Sequence, residues 1–260
     1  MFRDTLRQVL VLVAALTTIV FNIAANILPL NGLNTGELSD RFEIFFVPAG
    51  YVFSIWGLIY LGLIAYAIYQ VLPSQSKNPR LRSIGYIFIL SCVANIAWLF
   101  LWHYEVFEFT LVAMLVLLFS LIAIYLRLDI GRSEVSTAEK WAVHLPFSIY
   151  LGWVTVATIA NVTAFLNFIN WNGFGISPEI WTFILLVVAV VVAGLMAYSR
   201  QDIAYLLVLI WAFVGIGVEQ SDTPQVANAA YLAAVVVAIF VIIIIIQKFR
   251  QTRRPAMATS

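Results

Sequence analysis

Charge is what this chain has least of. Asp, Glu, Lys and Arg make up 10% of its 260 residues, where a soluble domain averages about 25%. Hydrophobic residues make up 63%, and the mean hydropathy is +0.99. That balance excludes a soluble domain and identifies a polytopic membrane protein. The single cysteine, Cys92, lies in an apolar run, which excludes a disulfide framework and a multi-cysteine metal site. The net charge of +1 says nothing about partners. With neither a basic stripe nor a nucleic-acid motif, no nucleic acid is expected among them.

Ionisable residues are scarcest where transport chemistry would need them. Ion-coupled transporters, proton pumps and voltage sensors keep such groups inside their spans. Here Glu105, Glu108, Glu139, Asp202 and Glu219 fall near helix ends, and no lysine sits mid-helix to hold a retinal. His103 and His144 stand near opposite faces, so they cannot share a metal or form an acid–base pair. Each reads as an interfacial histidine, with His144, beside Pro146, the better placed of the two for a haem contact. GxSxG, HExxH, P-loop and Rossmann fingerprints are missing from any suitable context. No enzymatic activity is expected.

Apolar runs of spanning length are what the chain does contain. A helix rises about 1.5 Å per residue, so about 20 apolar residues cross a bilayer's hydrocarbon core. Runs at about 8–30, 49–72, 84–103, 106–127, 141–166, 179–198, 202–218 and 226–247 predict an all-α membrane bundle of about eight transmembrane helices. HYE at 103–105 and SRQD at 199–202 read as tight helical hairpins. With eight spans, 13 of the 14 basic residues fall on the side of the two termini, and Arg41 alone falls opposite. By the positive-inside rule both termini are expected in the cytoplasm. The plasma (inner) membrane is the expected location. Arg3 and Arg7 before a short apolar core imitate a signal peptide, but the apolar run continues to Leu30, so this helix is expected to be kept.

Within the spans, polar and aromatic residues form stripes. Phe53, Trp56, Tyr60 and Ala67 share one face of the second helix. Ser91, Asn95, Trp98 and Trp102 share a face of the third, and Tyr150, Trp153, Ala157 and Asn161 a face of the fifth. Asn22 and Asn26 are four apart on the first; they either bond to another helix or line a pocket. Helix four reads as Leu/Val/Ile filler. Counted from the outer helix ends at about 1.5 Å per residue, Asn22, Trp56, Asn95, Trp98 and Asn161 lie roughly 8–12 Å deep, and Trp153 roughly 20 Å. Such a set suits a flat, mostly apolar ligand. The competing explanation is the interfacial aromatic belt, which accounts for Trp102, Trp141, Trp171 and Trp181, each near a span end.

Three stretches carry a family resemblance. PAGYVFSIWGLIY, Pro48 to Tyr60, resembles the second-helix signature of the tryptophan-rich sensory protein family (TspO/MBR, the translocator or peripheral benzodiazepine receptor family). ANIAWLFLW, Ala94 to Trp102, and LPFSIYLGWVTVATIANVTAFLN, Leu145 to Asn167, resemble its third- and fifth-helix elements. The proline-rich break that follows the third-helix tryptophan in the family is missing, and Ala160 replaces the usual leucine before the asparagine.

The resemblance implies a five-helix core over 1–170, followed by three added helices over 171–250 and a cytoplasmic tail over 251–260. It implies a receptor, sensor or translocator whose hydrophobic ligand is tetrapyrrole-like, porphyrin or haem, with no obligatory cofactor. Trp56, Trp98 and Trp153 would stack on that ligand, Asn95 and Asn161 would meet its polar edge, and the long loop 31–47 would cover it. Some bacterial relatives are proposed to degrade porphyrins in light through pocket tryptophans, and Trp56 would be the matching position. No basic residue follows Tyr150 within 165–172, so the sterol-recognition pattern has no support. A transporter of small amphipathic solutes and a scaffold recruiting a partner are the alternatives. Gly194, Gly215 and Gly217 would allow the added helices to seal the core, form a homodimer or make a separate module.

Overall fold

The computed structural model describes residues 2–252 except 29, 34, 40 and 43, without the side chains of Phe2, Asn26, Gln251 and Thr252. The expectations for the Asn26 side chain and for the tail beyond 252 therefore lie outside the described residues.

Among the described residues eight long apolar helices follow one another: α1 (Phe2–Ile27), α2 (Ile55–Val71), α3 (Pro79–His103), α4 (Phe107–Arg127), α5 (Leu145–Phe168), α6 (Pro178–Arg200), α7 (Ile203–Glu219) and α8 (Pro224–Thr252). Seven of the helical segments are long and apolar enough to cross a membrane. The eighth, α7, has 17 residues, the short end of the spanning range. Side chains such as Val13, Leu61, Leu207 and Leu232 are more than half exposed, which suits lipid and not water. The protein is an integral multi-pass membrane protein.

Helix ends follow local chemistry more closely than hydropathy. Helix three begins at Pro79 and not near 84, because the Asn78 side chain accepts hydrogen bonds from the Arg80 and Leu81 N–H groups, and proline suits the first turn. Ser177 caps α6 in the same way, and Asp202 caps α7. Both expected hairpins are present, with Glu105 and Gln201 in the left-handed conformation at their corners. Helix five is preceded by a helical turn at Thr137–Glu139 and a π-helical turn at Lys140–His144, so its rod begins about four residues earlier than hydropathy predicts.

Contacts close the first five helices into a ring in the order α1, α2, α5, α4, α3. Helix α7 lies against the outside of α5, and α6 and α8 lie against α7. Two glycines let α7 come close. A Cβ on Gly152 would meet Val208 at 3.1 Å, and one on Gly215 would overlap Val52. The Ala49 N–H donates to the Gly215 carbonyl at 3.1 Å, and the Trp211 indole N–H to the Val52 carbonyl at 3.1 Å. The start of the second span, a 3₁₀ turn at Gly50–Ser54, is thereby held against α7, with Val52 buried.

Candidate ligand-binding site

The three aromatic stripes meet inside the five-helix ring. The Trp56 ring stacks on Tyr60 at 5.7 Å and meets Trp153 edge-on at 6.3 Å; Phe53 meets Trp153 at 5.6 Å. Trp98 stacks on Trp102 at 5.5 Å. Around these rings lie two adjoining spaces. The inner one is a narrow slot of about 50 Å³ lined by Phe53, Trp56, Asn95, Trp98, Trp153, Ala157 and Asn161, with Trp102 and the first loop closing it. The outer one is a recess of about 490 Å³ lined by Asn22, Tyr60, Gly50 and Glu37. Phe53, Trp56, Trp98 and Thr35 belong to both. Only the recess is in the range of small-molecule pockets, about 300–1,000 Å³.

The amides are used differently from the expectation. Asn22 Nδ2 donates to Asn95 Oδ1 at 2.7 Å, and Asn95 Nδ2 donates to Tyr150 Oη at 3.1 Å. Asn22 thus bonds to another helix and also lines the recess. Tyr150 borders neither space; it supports Trp56 from behind, its ring 6.0 Å away. Asn161 Nδ2 donates to Thr110 Oγ1 at 3.1 Å. The polar atoms left over are others: Trp98 Nε1, Trp153 Nε1 and Asn161 Oδ1 are buried without a hydrogen-bond partner among the described residues. Their residues are 8%, 2% and 3% exposed, and all three line the slot. A buried donor or acceptor without a partner costs about 1–3 kcal/mol. Two N–H donors and one carbonyl acceptor are therefore left unmatched at the slot.

The first loop is a packed cover. Its short helix Thr35–Ser39 is buried at Thr35, Leu38 and Ser39. Asn31 donates to the His103 carbonyl at 3.0 Å, Thr35 Oγ1 lies 3.1 Å from His103 Nε2, and Arg41 bonds to Glu105 at 2.7 Å. His103 is 1% exposed and His144 6%, so the interfacial reading of both is corrected. His103 is enclosed by the loop, and its other ring nitrogen meets the Leu30 carbonyl at 3.2 Å. With both nitrogens engaged, its ring is not free to ligate an iron.

Against known proteins, the chain matches the TSPO-like protein family over residues 8–243. It belongs to that family. No curated protein and no solved structure matches it. The family match runs from α1 into α8, so the last three helices of this TSPO-like chain fall inside it.

Four features of the site escaped the sequence reading. Trp102, assigned to the belt, is 4% exposed and stacked on Trp98. Helix four, read as filler, supplies Thr110 to Asn161 and Met114 and Leu117 to the slot. Their spacing of four and three was the available signal. Thr35 and Ser39 lie in a loop without periodicity. Trp153 is not below the other rings but beside Phe53, because the second span starts sunken. Along α5 the slot runs from Asn161 to Trp153, roughly 10 to 22 Å from Phe168.

Proposed function

We propose that this protein is a membrane receptor of the sensor type, which binds one flat, mostly apolar molecule carrying a hydrogen-bond acceptor and a donor on one edge. A tetrapyrrole such as protoporphyrin has this chemistry. Its faces lie against Trp56, Tyr60 and Phe53 in the recess. Its carboxyl oxygens meet the indole N–H groups of Trp98 and Trp153, and an acid O–H meets Asn161 Oδ1. Family membership supports a receptor or translocator role in general. The observation that carries the finer reading is the trio of unpartnered atoms at the slot. The face bearing the termini is assigned to the cytoplasm, on the distribution of Lys and Arg.

The test is quenching of tryptophan fluorescence by protoporphyrin in the full-length protein. Saturable quenching is expected in the native chain, and its midpoint is expected to move at least tenfold higher in W98F/W153F. An unchanged midpoint overturns the assignment. Porphyrin flux across proteoliposomes would make the protein a translocator in place of a sensor.

A further inference from the structure

Thr110 of α4 is fully buried and faces Asn161 of α5. Its hydroxyl has one hydrogen to give and lone pairs to receive. The hydrogen is spent inside its own helix, where Thr110 Oγ1 donates to the Phe107 carbonyl at 2.8 Å. Toward Asn161 the same oxygen can therefore only accept. It receives Asn161 Nδ2 at 3.1 Å, and that bond fixes which way round the amide stands. With Nδ2 held by α4, Oδ1 is the end without a hydrogen-bond partner among the described residues. An amide turned the other way would set its carbonyl against a hydroxyl oxygen that has no hydrogen left for it.

The polarity of the slot is thus set by a residue that does not line it. Asn161 brings an acceptor, and Trp98 and Trp153 bring donors. A carboxylate has acceptors only, so it suits the indoles and is repelled by Oδ1. An undissociated carboxyl, with a carbonyl and an O–H, suits all three. Size agrees, since a water needs about 10–15 Å³ of such space. The slot, of about 50 Å³, has room for a carboxyl group and none for a macrocycle.

Charge argues the same way. Among the described residues no Asp, Glu, Lys, Arg or His lines the slot. Glu37 and Tyr60 line the adjoining recess, and Glu108 is on the exposed side of α4. His103 stands behind Thr35 with both ring nitrogens engaged, and Arg41 is paired with Glu105. The other ionisable groups of the five-helix ring, among them Arg7, Arg80, Arg127, Lys140 and His144, lie at the opposite helix ends. No cation is placed to balance a carboxylate, and a charge taken into such surroundings without a partner is neutralised by binding a proton.

We propose that Thr110 is a positioning residue that determines specificity. By holding Asn161 one way round, it makes the slot a receiver of an undissociated carboxylic acid or an uncharged carboxamide and a barrier to a carboxylate. This rests on the receptor reading above and adds the protonation state in which the ligand is taken.

The experiment is quenching of tryptophan fluorescence in the full-length protein, in phosphatidylcholine nanodiscs, by protoporphyrin and by its diamide. Both are titrated at about pH 5.5 and 7.5, above the ordinary carboxyl range. In the native chain the protoporphyrin midpoint is expected to rise at least tenfold at the higher pH, because the form that binds is depleted. The diamide midpoint should stay constant. The two ligands share a ring, so protonation of the ring or of the protein would move both. In T110V the Asn161 amide is released and can turn Nδ2 to the slot, so the carboxylate is accepted and the protoporphyrin midpoint should change less than threefold between the two pH values. T110S keeps the hydroxyl and should keep the native profile. The diamide pairs with the amide either way round, so its binding to T110V within threefold of native reports that the variant is folded. A native pH profile in T110V overturns the role of Thr110. A native chain whose protoporphyrin midpoint ignores pH, with W98F/W153F still weaker, overturns this inference and leaves the receptor reading standing. Midpoints that W98F/W153F does not move overturn both.

Discussion

The Nδ2 group of Asn22 lies 2.7 Å from Oδ1 of Asn95 and joins α1 to α3 in the membrane interior. Asn95 in turn donates to the Tyr150 hydroxyl, so one chain of hydrogen bonds ties three helices together behind the aromatic rings. Each amide in hydrocarbon needs a partner, and here two of the site's amides are each other's. They set where the rings stand, and the guest is left to other atoms.

Breaking this chain should cost stability before it costs affinity. N95A leaves the Tyr150 hydroxyl and one Asn22 donor unmatched, for an expected loss of about 1–2 kcal/mol in reversible unfolding from detergent micelles. N22A/N95A should be milder than the sum of the single variants. Interhelical hydrogen bonds in membranes average about 0.6 kcal/mol, and a coupling of that size in the double-mutant cycle checks the pairing.

The opposite pattern is expected at the slot. W153F removes an indole N–H that has no partner, so its unfolding midpoint should stay near that of the native chain or rise slightly. Protoporphyrin affinity should fall about tenfold, equivalent to one hydrogen bond near the upper end of the usual range. Measuring both quantities on one preparation separates a binding atom from a packing one.

Loop one is fastened to the α3–α4 corner by Arg41 and Glu105, an exposed pair. Exposed ion pairs contribute about 0–1 kcal/mol, so R41A should leave global stability almost unchanged. Access to the hollow should be easier. Stopped-flow quenching is expected to show faster association and faster release of protoporphyrin, with the equilibrium midpoint shifted less than either rate.

A fourth prediction concerns the last three helices. G215A places a methyl group where the Val52 Cγ2 already stands. Overpacking of this kind costs about 1–3 kcal/mol, and it should also weaken porphyrin binding by moving Phe53. Removal of 178–260 should do so more severely, because Ala49 and Val52 then lose their partners in α7. Binding retained at native strength by the truncated chain would show that the five-helix ring is sufficient.

Much of this architecture was legible in the sequence, for a simple reason. Spanning length and the 3.6-residue period are local properties, so the eight runs and the stripes through Trp56, Trp98 and Trp153 can be read from neighbours in the chain. What could not be read depends on residues far apart. That Asn22 finds Asn95 is a fact about two helices 73 positions apart. Trp102 looked interfacial because it stands one residue before a helix end, and only the folded loop above it makes that end an interior. The relative depths of Trp56 and Trp153 failed because counting from helix ends assumes that all ends are level, and the start of the second span lies beside the middle of α5.

That sunken start has one cause that touches no guest at all. Gly215 carries a hydrogen where any other residue carries carbon, and into that gap Val52 descends. Where the aromatic ladder of the second span stands against Trp153 therefore depends on a neighbouring helix, on an atom too small to appear in any sequence motif of the site.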